Sequence, residues 1–252
     1  MGDFVTYISL IGVVLLGGIL VFLLKEKITK YLKYILAFSG AFMLSIAVLH
    51  IIPEVYLANG FSIGIFVLLG FLIQLILEYF SQGIEHGHIH VHNQKSLFFL
   101  TPILISLCVH AFLEGVPLAK DFSMDFAHAH GHDHGHNHDH GDSFLVSILL
   151  HKFPIGIALM TLFLKSNLKM SLSFLWLTVF ALMAPLGFLT GTFFQDFLID
   201  NSSIFEYILA IVLGMFLHIS TTILFESDES HKFNLLKLII IMTGGIVAYF
   251  VV

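Results

Sequence analysis

Two polar strings interrupt otherwise apolar runs of this 252-residue sequence. In the first, His110 and Glu114 are four residues apart, so both side chains lie on one face of a helix, one turn apart. A charged side chain at the centre of a bilayer costs at least about 2.5–3.5 kcal/mol, so a carboxylate in such a run predicts a functional site. The second string adds His151. One carboxylate oxygen and two neutral imidazole nitrogens suit zinc and tolerate iron, manganese or cadmium. We therefore predict a divalent metal site formed by His110, Glu114 and His151.

The two strings also resemble each other. Residues 110–118 (HAFLEGVPL) and 151–159 (HKFPIGIAL) share the His, the Phe, the Gly and the final Leu. Internal repeats of this kind are common in transporters, whose substrate sites lie near the membrane midplane where the repeats meet. Pro117 and Pro154 each remove a helical hydrogen bond, and a freed carbonyl in lipid needs a new partner. The sequence predicts two kinked helices that line the site. The alternative is a pair of structural kinks with hydrogen-bonded histidines.

Composition identifies the class of protein that carries these strings. The chain is 58% hydrophobic and only 11% charged, whereas a soluble domain has about 25% charged residues. A spanning helix needs about 20 mostly apolar residues, and eight segments qualify. They run over Phe4–Leu24, Tyr34–Leu57, Ile63–Phe80, Leu97–Ala119, Phe144–Leu164, Leu172–Phe194, Ile204–Phe225 and Phe233–Val252. The fold class predicted is an all-α integral membrane protein, a bundle of eight transmembrane helices.

The lysines predict how the bundle is oriented. Nine of them fall on one side of the eight-segment arrangement, and Lys120 alone marks the opposite side. Because Lys and Arg concentrate on the cytoplasmic side, both termini are expected outside. We expect no cleavable signal peptide, because the first apolar run is long enough to remain in the membrane. Residues 1–252 are expected to form a single transmembrane transporter domain.

Two histidine-rich loops lie on opposite sides of this arrangement. The loop at 85–95 is predicted to be cytoplasmic and the loop at 121–143 extracytoplasmic. Such tracts cannot bury apolar surface, and each imidazole is a ligand for zinc-like ions, so capture of metal is favoured over a solvated linker. The histidines concerned are His86, His88, His90, His92, His128, His130, His132, His134, His136, His138 and His140.

Four further residues are candidate ligands by type and position. In the second segment, His50 and Glu54 repeat the helical spacing of the first string near the outer membrane face. The seventh segment contains His218, which by itself is more typical of a hydrogen bond between helices than of a ligand. Met43 lies seven residues before His50 on the same predicted face, and by itself is more typical of a core residue.

At this point the pattern resembles a known family. The string His110–Gly115 is similar to the fourth-helix signature of ZIP-family divalent metal transporters of the prokaryotic type, and His151–Pro154 to the fifth-helix signature. The second-segment string His50–Glu54 and Pro185-Leu186-Gly187 in the sixth segment also resemble the family. The resemblance implies a metal site between the fourth and fifth helices, often binuclear. It assigns His110, Glu114 and His151 as primary ligands and Met43 as a second-helix ligand.

The departures from the family pattern concern the second metal. Where the family commonly has polar or acidic residues, this sequence has Ala111, Ile155 and Ala184, with Lys152 after His151. We interpret the site as mononuclear, with the Lys152 ammonium in place of the missing cation and partly neutralising Glu114. A neutral Lys152 that binds the metal directly is the alternative.

These observations predict a divalent metal importer, not an enzyme, with Zn²⁺ as the transported substrate and Fe²⁺, Mn²⁺ or Cd²⁺ as alternatives. Its partners are the metal ion and the lipid bilayer of the inner or plasma membrane, with no nucleic acid, and a homodimer remains open. Two other functions stay open: an intramembrane zinc-dependent hydrolase, which would keep an open coordination position beside a nucleophile or base, and a membrane metal sensor without flux.

Overall fold

The chain folds into helices and short helical turns throughout the part that the structure describes. The structure is a computed structural model and describes residues 3–24, 26–87, 97–119, 140–194, 197, 201–226 and 235–251. The helices are α1 (Asp3–Leu24), α2 (Glu26–Ile46), α3 (Ile52–Asn59), α4 (Gly64–Ser81), α5 (Leu97–Gly115), α6 (His140–Lys165), α7 (Met170–Phe193), α8 (Ser202–Glu226) and α9 (Leu235–Val251). A π-helical segment, Ala47–Ile51, joins α2 to α3, so the described elements form eight rods that match the eight predicted segments.

The lengths of these rods suit a bilayer. Seven of the described helices are at least 18 residues long and apolar enough to cross a membrane. The eighth, Leu235–Val251, has 17 residues, which at 1.5 Å per residue gives about 26 Å against a hydrocarbon core of about 30 Å. Large apolar side chains are exposed along α1, α4 and α9, the surface expected of helices that face lipid.

The second rod departs from regular α-helix at the position of one candidate ligand. The π-helical segment contains His50 and is followed by Pro53 at the start of α3. A π turn holds one more residue than an α turn, so it shifts the helical register of His50 relative to Met43. The sequence prediction that these two side chains share a face assumed an uninterrupted α-helix. In the structure Met43 is fully buried, whereas His50 is only partly buried.

The second focal string lies on α6, the most buried of the described spans, and the first lies on α5, whose span is half buried. In α6, 78% of the span is buried, compared with 28% in α1 and 17% in α4. Helix α6 packs against α1 and α2, while α5 packs against α7 and α4. Pro154 lies inside α6. The fourth segment ends differently, because α5 stops at Gly115 and Pro117 belongs to a 3₁₀ turn, Val116–Leu118.

Both focal strings use their glycine for close helix packing. A Cβ atom at Gly156 would lie 2.6 Å from the carbonyl oxygen of Val14 on α1. A Cβ atom at Gly115 would overlap the carbonyl oxygen of Ala184 on α7. Small residues let membrane helices approach until their backbones touch. These contacts fix the positions of α5 and α6 against their outer neighbours.

Candidate metal centre

The predicted ligands come together at the interface of α5 and α6. His110, Glu114 and His151 are each 0% exposed. One potential ligand atom from each residue lies within 4.8 Å of the other two. Three ligand atoms bound to a tetrahedral ion at about 2.1 Å would be about 3.4 Å apart, so small side-chain movements close the site around a metal. Among the described residues, this is the only group of three or more His, Cys, Asp or Glu side chains with such geometry.

Two ligand atoms of the group lie close together without forming a hydrogen bond. Nε2 of His110 lies 2.7 Å from Oε1 of Glu114. The two atoms do not align as a hydrogen bond, and neither has another hydrogen-bond partner in the part of the chain that the structure describes. The rings of His110 and His151 are nearly perpendicular, with centroids 6.1 Å apart. Buried polar atoms without partners require an explanation, and a bound cation between these atoms provides one.

Lys152 closes the other side of the carboxylate. Its side chain is 2% exposed, and Nζ donates a hydrogen bond of 2.7 Å to Oε2 of Glu114. The ammonium also lies 5.6 Å from the centroid of the Phe180 ring on α7, within the range of a cation–π contact. Glu114 therefore faces an ammonium through Oε2 and His110 through Oε1.

Two buried polar residues extend the site and were not predicted from the sequence. Nδ1 of His110 lies 3.0 Å from Oε1 of Gln74 on α4. Nε2 of Gln74 donates a hydrogen bond of 2.6 Å to Oε2 of Glu85, in the 3₁₀ turn Ile84–His86. Both residues are 0% exposed. The signal available in the sequence was a single amide in the apolar run of α4, but nothing in its spacing connects it to His110.

The remaining predicted ligands lie outside this group of three. Met43 is buried on α2, His50 lies in the π-helical segment and Glu54 in α3. His218 instead contacts α4: Nδ1 lies 3.3 Å from Oε2 of Glu78, and its ring packs 4.7 Å from that of Phe71. These contacts are those of a histidine that connects two helices, the role more typical of such a residue.

The histidine-rich loops lie mostly outside the described residues. The backbone of His86 belongs to the turn Ile84–His86, and His140 is the first residue of α6. The other predicted loop ligands fall outside the described residues: His88, His90, His92, His128, His130, His132, His134, His136 and His138.

A buried site of two histidines and one carboxylate, inside a bundle of apolar spanning helices, defines a membrane protein that handles a divalent cation. The family model of ZIP zinc transporters matches residues 85–251. This is more than half of the chain, so the chain belongs to the ZIP zinc transporter family. None of the curated proteins matches it. The protein is thus a multi-pass membrane transporter of divalent metal and not an enzyme, and membership favours neither the hydrolase nor the sensor. The match includes α5 to α9 but not the second-segment string, which precedes it.

Proposed function

We propose that this protein imports zinc into the cell through a single-ion site held by His110, Glu114 and His151. The observation that carries the proposal is the convergence of three buried ligand atoms from α5 and α6 to within 4.8 Å of one another. Nitrogen and carboxylate ligands in this number leave a fourth position for water or a further ligand, which suits an ion that must be released again.

The route of the ion follows from the proposed orientation of the chain. With nine lysines on one side, both termini and the loop 121–143 face outward, in the inner or plasma membrane. That loop, with His50 and Glu54, would gather the metal. His86, His88, His90 and His92 in the loop 85–95 would receive it inside. Pro154, inside α6, would bend that helix at the level of the site, and Met43 would serve as a weak further ligand.

We further propose that only one metal occupies the site at a time. Ala111, Ile155 and Ala184, at positions where the family commonly has a ligand, are buried and offer no ligand atom. The Lys152 ammonium already contacts Glu114. A second divalent ion would have to displace that ammonium, and Ile155 offers it no carboxylate at the position of α6 that corresponds to Glu114. Anomalous scattering from zinc-soaked crystals should show one peak, whereas a binuclear site would give two peaks about 3.5–4 Å apart.

Zinc uptake into proteoliposomes tests the site. In a Glu114→Ala variant we expect uptake to fall to the background of empty vesicles, because the only carboxylate of the ligand group is removed. The matched control is Glu206→Ala, which removes a buried carboxylate near the start of α8, remote from the ligand group in sequence. Uptake that persists in the Glu114 variant would contradict the assignment. Parallel measurements with Mn²⁺, Fe²⁺ and Cd²⁺ determine which metal is preferred, and size-exclusion chromatography tests whether a homodimer forms.

A further inference from the structure

A line of buried hydrogen bonds connects the metal site to a second carboxylate. It runs from Glu85 through Gln74 to His110, with donor–acceptor distances of 2.6 and 3.0 Å. The three side chains are all 0% exposed, and they come from three separate elements. The binding group described above gives no role to Gln74 or Glu85, since neither residue is among its three ligands.

The local fold brings Glu85 back to Gln74. Helix α4 ends at Ser81, and the next two residues, Gln82 and Gly83, have φ angles of 56° and 71°. Left-handed residues at this position reverse the chain at a helix end. The reversal places the turn Ile84–His86 so that Glu85 reaches Gln74, eleven residues earlier. A second hydrogen bond connects α4 and α5 beside the one between Gln74 and His110: the hydroxyl of Ser106 donates to the carbonyl oxygen of Leu77.

The chemistry of these groups gives the line a direction. An ionised carboxylate accepts hydrogen bonds and donates none, so Glu85 must face the NH₂ group of Gln74. The amide oxygen of Gln74 then faces His110 and can only accept, so Nδ1 of His110 carries the hydrogen. A neutral imidazole with its hydrogen on Nδ1 has its lone pair on Nε2. Nε2 is the atom that lies 2.7 Å from Glu114 in the metal centre.

We infer that Gln74 and Glu85 are positioning residues that hold His110 in the tautomer whose Nε2 binds the metal. The inference rests on the proposed function of the ligand group and adds the device that presets one ligand. Metal-binding histidines generally donate their second N–H to a carboxylate or carbonyl, which fixes the ring and raises its basicity. Here the amide of Gln74 stands between the histidine and the carboxylate.

Exchanging Gln and Glu at positions 74 and 85, singly and together, tests the inference. Gln and Glu have nearly the same shape, so a role in packing alone predicts little change from either single substitution. We expect Glu85→Gln and Gln74→Glu each to weaken zinc binding by about 10–100-fold, the range seen when such outer partners are removed. In the double variant Gln74→Glu/Glu85→Gln the carboxylate at position 74 accepts one hydrogen bond from His110 and one from the amide at position 85. We expect its zinc affinity to return to within about threefold of the wild-type value.

Zinc affinity is measured by calorimetry on the purified full-length protein in detergent. ¹⁵N NMR of labelled histidine provides a second measurement that a packing role would not move. It should show His110 as the Nδ1–H tautomer in the wild-type and double variants, and as a mixture in Glu85→Gln. The control is Gln82→Glu, the same chemical change at an exposed residue of the same turn. It should leave both measurements unchanged.

The outcomes separate the inference from the proposed function. If Glu114→Ala abolishes zinc binding but the single exchanges leave it unchanged, the ligand group stands and the inference is overturned. If Glu114→Ala leaves zinc binding intact, the proposed ligand group is refuted, whatever the single exchanges show. If neither single variant folds, the zinc affinity of the double variant Gln74→Glu/Glu85→Gln tests the inference. Wild-type affinity supports the inference, and loss of binding by a folded double variant overturns it.

Discussion

The contact between Lys152 and Glu114 makes a prediction with two linked parts. In Lys152→Met the side chain keeps its approximate volume but loses the ammonium that donates to Oε2 of Glu114 at 2.7 Å. Removing one partner of a buried ion pair typically costs about 3–5 kcal/mol, because the other charge remains buried and uncompensated. We therefore expect the metal-free variant to unfold at a clearly lower temperature than the wild type.

The second part concerns zinc. A zinc ion bound to Oε1 would share the Glu114 carboxylate with the ammonium on Oε2. Two unit charges about 5 Å apart interact by about 3 kcal/mol at an effective dielectric constant of about 20, and a divalent ion doubles the repulsion. Even if most of this is relieved by rearrangement, about 1.4 kcal/mol corresponds to tenfold in affinity. We expect Lys152→Met to bind zinc at least tenfold more tightly and to release it more slowly.

Thermal unfolding with and without zinc, together with calorimetry, measures both parts. Lys237→Met is the matched control, because the Lys237 ammonium donates to the carbonyl of Leu224 and not to the metal centre. The variant at 152 should show a lower melting temperature without zinc and a larger increase on adding zinc. Weaker zinc binding would refute the reasoning, because it would identify Lys152 as a neutral amine that binds the metal directly.

Three further predictions concern packing and the outer loop. Gly156→Ala places a Cβ 2.6 Å from a backbone carbonyl oxygen of α1 and should lower the free energy of unfolding by about 1–3 kcal/mol. In the same unfolding assay Gly12→Ala, with open space around the new Cβ, should be neutral or stabilising. Ser147 is fully buried and its hydroxyl has no partner among the described residues, so Ser147→Ala should raise the melting temperature by removing an unsatisfied group worth about 1–3 kcal/mol. Ser39→Ala is the control: it breaks a hydrogen bond to the carbonyl oxygen of Leu36 and should not raise the melting temperature. Deleting residues 128–140 should reduce uptake at low zinc without abolishing it, and complete loss would contradict the ligand assignment.

The parts of the structure that the sequence predicted are those that depend on local spacing. Hydrophobic run length predicted eight helical segments, and the structure has a helical rod for each in its described part. The four-residue spacing of His110 and Glu114, combined with the repeated string around His151, predicted a ligand group that the structure brings together. The opposite charges of Lys152 and Glu114 predicted their contact.

The parts that escaped prediction depend on contacts between distant elements or on irregular backbone. Gln74 lies 36 residues before His110, and no periodicity connects them. The π-helical segment around His50 changes a helical register that was assumed to be regular. His218 finds Glu78 across the interface of α4 and α8, a pairing that depends on how two helices are rotated.

The resemblance between the two focal strings has a structural reason. In each string the glycine follows the histidine by five residues, which at 100° per residue places them about 140° apart around the helix. Each helix can therefore direct its histidine to the shared site while its glycine packs against an outer helix. Gly115 packs on α7 and Gly156 on α1. The histidine and glycine positions are thus common to both helices because both have the same two contacts to make.

The chemistry depends on the positions where the two strings differ. At the second position α5 has Ala111 and α6 has Lys152, while at the fifth α5 has Glu114 and α6 has Ile155. One helix thus contributes the carboxylate and the other the ammonium that contacts it. If Ile155 were also a carboxylate, α5 and α6 would offer matching acidic ligands, which would suit two divalent ions. Here the Lys152 ammonium neutralises the Glu114 carboxylate. Under the proposed single-ion function, zinc has to compete with that ammonium for Glu114, and the competition favours release of the ion after binding.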